Sequence, residues 1–477
     1  MTDEIKDRLE ELSSLVTGDS VTDNVHEYYK QYFKIPGNPF PPSGIADAIE
    51  ETPPFRPQIE NEIFDFIKRS YRDRQFHSLI IAGDYGTGKT HTLRFIEYVV
   101  NTFMNVGDRC ARAIYVERPR LEANELNRTI LRRLGLDTVR KYTWFALHDE
   151  LLKEVEEQSE DFKELRRSLT LPKRKGNSPL SGTAKMWNEE DAPIPPAFSS
   201  LFSPATLSDY RNFLDIIEMN NWNREEMRYF LVRCLVKAVG QDISIDLAQT
   251  FVALMLSRDE KSFSSWEALV SMSKPRAESS LRAPTFLQFL LRIMHLNGIV
   301  YVYLLLDEFE EVPQGSLLSS RQRQEYLYTM REVFDKIREG LAVVIAITPP
   351  ALTAFSAIAT PLADRNPRRI DLPPLELQDA IKLVQFYFDR ERENSSLKKV
   401  KKGDIKPFND KILAKILNSF PTSVQKTPRN LIQFLHRLLE HSAQNNLESV
   451  NEETIESLLS EFGAMKPTHQ QPSRRRK

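Results

Sequence analysis

The 477-residue chain has two cysteines, Cys110 and Cys234, and no paired-cysteine or His/Cys cluster. That excludes a disulfide framework and a zinc site, and suits reduced thiols in apolar strand-like and helix-like surroundings. Its longest apolar runs are strand-sized, well short of the roughly 20 residues that span a bilayer. The opening Met1-Thr-Asp-Glu-Ile-Lys6 is charged and has no apolar centre, unlike a secretory leader. There is no large excess of charge either: a net charge of −2 excludes a globally basic nucleic-acid coat but leaves local patches open. No internal repeat is visible. These absences predict a soluble, cytoplasmic protein, and the length and 41% apolar content predict two or three domains with substantial cores.

Residues Gly83-Asp84-Tyr85-Gly86-Thr87-Gly88-Lys89-Thr90 carry the most information. They fit the pattern Gly, four residues, Gly, Lys, then Ser or Thr, without mismatch. An apolar run, Ser78–Ala82, enters the loop as a buried strand, and a helical pattern, Thr90–Val100, leaves it. The glycines let the backbone curl so that successive N–H groups point at a β-phosphate, and the helix N-terminus adds positive potential. Lys89 is expected to reach the β/γ-phosphates, and the Thr90 hydroxyl to ligate Mg²⁺. His91 follows at the head of the helix.

The second half of such a site is Ile299–Leu306, eight apolar or aromatic residues that predict a central parallel strand buried on both faces. It ends in Asp307-Glu308, where open α/β sheets bind ligands. Asp307 can hold Mg²⁺ through water, and Glu308 can polarise the water that attacks a γ-phosphate. Together the two motifs predict hydrolysis of ATP with Mg²⁺.

Other stretches set the organisation. Residues 1–34 read as helical, with an aromatic cluster at Tyr28, Tyr29, Tyr32 and Phe33, and the proline-rich Pro36–Pro42 as an ordered connector. Gln58–Arg72 alternates at helical period, and Ala113–Val116 reads as the second strand. From about Lys141 to Arg276 helical stretches dominate, broken by a Pro/Ser/Gly-rich loop over 170–204 that contains Lys173-Arg174-Lys175. Leu341–Ile347 is another buried strand, ending at Thr348. The chain is helical again from Leu377 to Phe462, and a tail ends in Arg474-Arg475-Arg476-Lys477.

This order resembles the AAA+ ATPases, particularly their origin-recognition and STAND-like branch, over roughly residues 50–125 and 280–465. The resemblance implies an α/β fold: a parallel-sheet P-loop AAA+ core with a large helical insertion and a C-terminal helical lid. It divides the chain into an N-terminal helical arm (1–50), core (51–140), insertion with a basic loop (141–280), core (281–374), lid (375–464) and basic tail (465–477). Thr348 matches the polar sensor position that touches the γ-phosphate or lytic water, although that family often has Asn there. Arg365 matches a trans-acting arginine finger, with Arg368 and Arg369 as competitors. Thr427-Pro428-Arg429-Asn430 is similar to the second sensor signature of the lid, so Arg429 is expected to lean towards the γ-phosphate. A less specific likeness, in Asn38-Pro39-Phe40 and Leu306-Asp-Glu-Phe-Glu310, is to bacterial ATPases encoded with phage-exclusion systems.

The resemblance implies a homo-oligomer. Arg166-Arg167 with Lys173–Lys175, Lys398–Lys402 and Arg474–Lys477 are the clusters through which DNA would be met. Trp187 and Phe198 could stack on bases, although aromatic residues in such a loop more often dock on their own domain. Origin-recognition proteins carry a winged helix after the lid, for which only about a dozen residues remain here. Two readings follow: a DNA-associated, ATP-driven switch or assembly factor in genome defence or maintenance, and a STAND-type signalling ATPase whose insertion and arm bind a protein partner. Neither involves a membrane.

Overall fold

The structure is a computed structural model that describes residues 27–44, 55–105, 107, 109–118, 123–170, 196–240, 245–257, 266, 283–314, 319–358, 368–393, 401–420, 422, 425–447, 450 and 452–464. Residues 1–26 of the expected helical arm, Arg365, Lys173–Lys175, Trp187, Lys398–Val400 and the basic tail lie outside them.

Five parallel strands form one sheet in the order β2-β3-β4-β1-β5: β1 (His77–Ala82), β2 (Cys110–Val116), β3 (Ile299–Leu306), β4 (Leu341–Ile347) and β5 (Arg368–Asp371). Every residue of β3 and β4 is buried, as their unbroken apolar sequences require of central strands covered on both faces. The fold is the α/β class expected from the sequence: a parallel-sheet P-loop core, a large helical insertion and a C-terminal helical lid.

Two strands differ from expectation. β2 starts three residues early, at Cys110, because Arg112 interrupts its apolar run yet finds a partner in the Tyr142 hydroxyl. β5 falls on Arg368 and Arg369, in a basic stretch where no strand is expected. It is a four-residue edge strand paired with Leu79–Ala82, and only Ile370 of Arg368-Arg-Ile-Asp371 is turned into the core. Edge strands tolerate charge, so no apolar run marks it.

One face of the sheet carries α1 (Pro57–Asp73) and α2 (Lys89–Phe103), whose Ile63, Phe66, Leu93 and Ile96 pack on Leu79, Ile81, Tyr303 and Val344. The other face carries α3 (Ala123–Leu134), α11 (Ala283–Leu296), α13 (Ser320–Lys336) and α14 (Pro349–Ile358). The insertion helices are α4 (Leu136–Glu156), α5 (Glu160–Thr170), α6 (Pro196–Leu201), α7 (Pro204–Leu207), α8 (Tyr210–Met219), α9 (Arg224–Val239) and α10 (Ile245–Leu256). Their apolar residues join one continuous core with β3 and β4, so the insertion is packed onto the sheet rather than tethered to it. Short α12 (Glu311–Gln314) follows β3.

The lid consists of α15 (Leu377–Glu393), α16 (Asp410–Ser419), α17 (Pro428–Gln444) and α18 (Glu452–Ala464). Its core includes Tyr28, Tyr29, Phe33, Ile35 and Phe40 from the N-terminal segment. The aromatic cluster there is a one-turn π-helix, Tyr29–Phe33, and Phe40 packs against Tyr387, Phe388 and Phe408. Both cysteines are free: Cys110 opens β2, and Cys234 is buried in α9. No described helix is long and apolar enough to cross a membrane.

Candidate functional site

The site begins where β1 ends. Ala82 pairs with Ile347 of β4, and Leu306 of β3 pairs with Ile345, so β4 lies between the strands that carry the two motifs. With strands about 4.8 Å apart, the glycine loop and Asp307 stand roughly 10 Å from each other across the end of β4. The Gly83 N–H donates to the Ile347 carbonyl (3.2 Å), fixing the start of the loop.

Gly86 and Gly88 both have positive φ, at 79° and 104°. Gly88 is also the cap of α2, so the free N–H groups of the first helical turn face the loop's hollow. A Cβ on Gly88 would meet nothing within 4 Å, which leaves this side of the loop open for a ligand. A Cβ on Gly86 would stand 3.0 Å from the Arg429 Cβ, so the loop and lid touch there.

Lys89 is buried and donates to the carbonyls of Gly83 (3.0 Å) and Asp84 (3.3 Å). Burial lowers its pKa, a pull opposed by Glu310, Asp307 and Asp84 and reinforced by Arg429. Thr90, one residue on, is exposed at the helix start.

Asp307 is 2% exposed and both its oxygens are engaged. Oδ2 accepts from the Tyr115 hydroxyl (2.7 Å) and Oδ1 from the Glu308 N–H (2.9 Å). Glu308 has φ +50° and is half-exposed, with its Oε2 2.5 Å from the Nε of Arg118. Glu310 is buried, its Oε2 has no hydrogen-bond partner among the described residues, and burial raises its pKa against the lowering effect of Lys89.

These groups line one cavity of about 400 Å³, within the range of small-molecule sites. At one end are Gly86, Thr87, Gly88, Lys89, Thr90, Asp307, Glu308 and Glu310; at the other an apolar slot is formed by Phe55, Leu383, Phe386 and Ile432. Phe55 stacks on His91 at 6.3 Å and leans on Phe386 at 5.1 Å. Such an amphipathic cavity suits a ligand with a polyanionic end and a flat apolar end. The donor set fits Mg²⁺ held by a hydroxyl, a carboxylate, waters and a ligand's phosphates; among the described residues no group of three or more His, Cys, Asp or Glu would hold a metal without them.

Of the residues singled out in the sequence, Tyr85 to His91, Asp307, Glu308 and Arg429 line this cavity. Gly83 and Asp84 shape the loop beneath it. Arg429 is brought there by α17, whose cap is the Thr427 hydroxyl accepting from the Asn430 N–H, with Pro428 at the first helical position. Thr348 is buried and does not line the cavity; its carbonyl accepts the Leu352 N–H at the head of α14. Arg368 lies in a separate cleft with His77 and Arg338, and Arg369 is paired with Asp371. Phe198 is buried against Phe162, Phe202 and Trp222, docked on its own domain.

Sequence reasoning misses Tyr115, Arg118, Glu310 and Arg56. Arg56 is 5% exposed and donates to the Thr87 carbonyl (3.3 Å) and the Pro373 carbonyl (2.8 Å), tying the loop to the entry of the lid. A buried arginine just ahead of the first core helix has no local sequence signature. Glu310 had one: a third acidic residue following a fully apolar strand.

No family model and no curated protein matches the chain. Among solved structures it is similar to the Aeropyrum pernix ORC2 protein in its ADP form, at 12% identity and a TM-score of 0.41, over 88% of this chain and 72% of that one. So loose a likeness carries no residue-by-residue comparison.

Proposed function

We propose that this chain is an ATP-hydrolysing AAA+ ATPase that acts as a nucleotide-dependent switch or assembly factor associated with DNA. The observation that carries the ATPase reading is the convergence, in one cavity, of the glycine loop at the head of α2, buried Lys89, buried Asp307 and lid residue Arg429. In this reading the loop's N–H groups and Lys89 bind the β- and γ-phosphates, Thr90 and Asp307 hold Mg²⁺, and the apolar slot takes the base. Mg²⁺, when bound, neutralises charge that develops on the phosphoryl oxygens. One of the two glutamates after Asp307 takes the proton of the attacking water. Because Arg429 and Arg56 join the loop to the lid, loss of the γ-phosphate alters the lid's seating, and the lid core extends into the N-terminal segment. The DNA association is supported by the basic clusters of the sequence, of which Arg166 and Arg167 lie on α5. A finger at Arg365 would act on a neighbouring copy. Phosphate release from Mg-ATP by the purified chain tests the reading. Measurable turnover is expected, lost in Lys89→Ala; a wild-type chain that neither binds nor hydrolyses ATP would refute it.

A further inference from the structure

We propose that Gly44, in the N-terminal segment, is a positioning residue of the nucleotide site: it fixes Arg429 and so governs the hold on a γ-phosphate. This rests on the ATPase reading above, with Arg429 reaching the γ-phosphate from the lid. Gly44 and Arg429 line the same cavity as the glycine loop.

The N-terminal segment reaches that cavity along one stripe of α17. Arg429, Gln433 and His436 follow one another at helical spacing, so they share a face. At His436, the Asn38 Nδ2 donates to the backbone carbonyl (2.9 Å), and the ring Nδ1 donates to the Phe40 carbonyl (2.6 Å). One turn nearer the cavity, the Gln433 Nε2 donates to the Ser43 carbonyl (2.9 Å). Phe40 anchors the segment in the lid core. The Gly44 N–H donates to the Pro41 carbonyl (3.0 Å), closing a turn that ends beside Arg429.

Arg429 is then held from two sides. A Cβ on Gly86 of the glycine loop would stand 3.0 Å from the Arg429 Cβ. A Cβ on Gly44 would stand 2.8 Å from the Arg429 carbonyl oxygen and 2.9 Å from both its Cγ and the Gln433 Cγ. Gly86 has φ +79° and Gly44 φ +67°, the left-handed region that glycine enters without cost. The foot of the arginine therefore passes between two glycine backbones, which set the direction in which its guanidinium leaves. Any side chain at position 44 must displace the first turn of α17, because the nearest atom is a backbone oxygen that cannot rotate away. Burial lowers the Lys89 pKa and the Arg429 charge adds to that, so both cations stand at the phosphate end of the cavity.

The test measures binding of Mg-ADP, and of the Mg complex of a non-hydrolysable imido analogue of ATP, to the full-length chain by titration calorimetry. Wild type is compared with Gly44→Ala, Arg429→Ala, the double variant and Gln433→Ala. Gly44→Ala is expected to weaken the ATP analogue at least about tenfold, the lower end for losing a hydrogen bond to a charged group. Mg-ADP should weaken by less than about threefold. Arg429→Ala should show the same selective loss, and adding Gly44→Ala to it should cost less than about threefold more, because changes that act through one group do not add. A merely structural loss would weaken both nucleotides alike and add in full. The proposal is overturned by either of those results, or if Gly44→Ala weakens the analogue by less than stated. Should Gly44→Ala not give a native circular-dichroism spectrum, Gln433→Ala takes its place, since it removes the bond to Ser43 and leaves the glycine. A selective loss of about threefold or more for the ATP analogue then supports the proposal, and a smaller loss or an equal change for the two nucleotides overturns it. Failure of the ATPase reading looks different: the wild type itself binds neither nucleotide.

Discussion

Tyr115 shows how much of the site depends on a residue far away in the chain. Its hydroxyl holds Oδ2 of Asp307, its ring lies 3.6 Å beneath the Arg94 guanidinium, and Arg133 is 5.7 Å from the same ring. Burial and the Asp307 charge push its pKa up, so the phenol remains a donor at any physiological pH. Removing it frees Asp307 to rotate. Tyr115→Phe should therefore raise the Mg²⁺ concentration needed for half-maximal turnover by about tenfold, the lower end for groups that orient a metal ligand. Binding of metal-free ATP should change little. A Mg²⁺ titration identical to wild type would show that Tyr115 does not position Asp307. The glycine loop and Asp307-Glu308 are legible in the sequence because their chemistry is local: a turn, a helix start, a strand end. Tyr115, Arg118 and Arg56 are not, because each acts on a group that only the folded sheet or lid entry brings near. Thr348, matched to a sensor position through the family resemblance, is buried and does not line the cavity, because which way a strand-end residue faces depends on packing that the sequence does not display.

At the scale of elements, the glycine loop and α17 meet in close contact. Gly86 has φ +79°, and a Cβ there would stand 3.0 Å from the Arg429 Cβ and 3.1 Å from the Thr427 hydroxyl oxygen. Gly86→Ala should strain the loop by about 1 kcal/mol or more and push the lid away from it. The expected result is at least a tenfold rise in the ATP dissociation constant by calorimetry, with far-ultraviolet circular dichroism unchanged. Wild-type affinity would mean that the loop and lid are not coupled in the way described. The central strands and most helices are readable from period and apolar runs, since burial on both faces leaves few sequence options. β5 is not, because an edge strand of four residues with one buried side chain resembles a charged loop. The burial of Tyr28, Phe33 and Phe40 in the lid is equally hidden, because aromatic clustering says that a segment packs but not on what.

For the whole molecule, the sheet has an apolar core on each face and the lid has a third, and the lid meets the sheet around the cavity of the glycine loop. That arrangement lets occupancy of one cavity be felt by the lid and the N-terminal segment together. If the switch works on DNA, binding at about 50 mM salt should be detectable and should fall steeply as salt is added, where screening grows. Replacing Lys173, Arg174 and Lys175 by Ala should weaken it for all sequences alike, with the log–log slope reduced by about 0.9 per lost phosphate contact. ATP turnover without DNA should stay unchanged. No complex at low salt, with or without ATP, would favour a protein partner instead. The central claim is that this cavity binds Mg-ATP through Lys89, and titration calorimetry of the full-length chain tests it most directly. Wild type should bind Mg-ATP at one site per chain, and Lys89→Ala, with a native circular-dichroism spectrum, should show no measurable heat. Equal binding by the two proteins, or none by wild type, would contradict it.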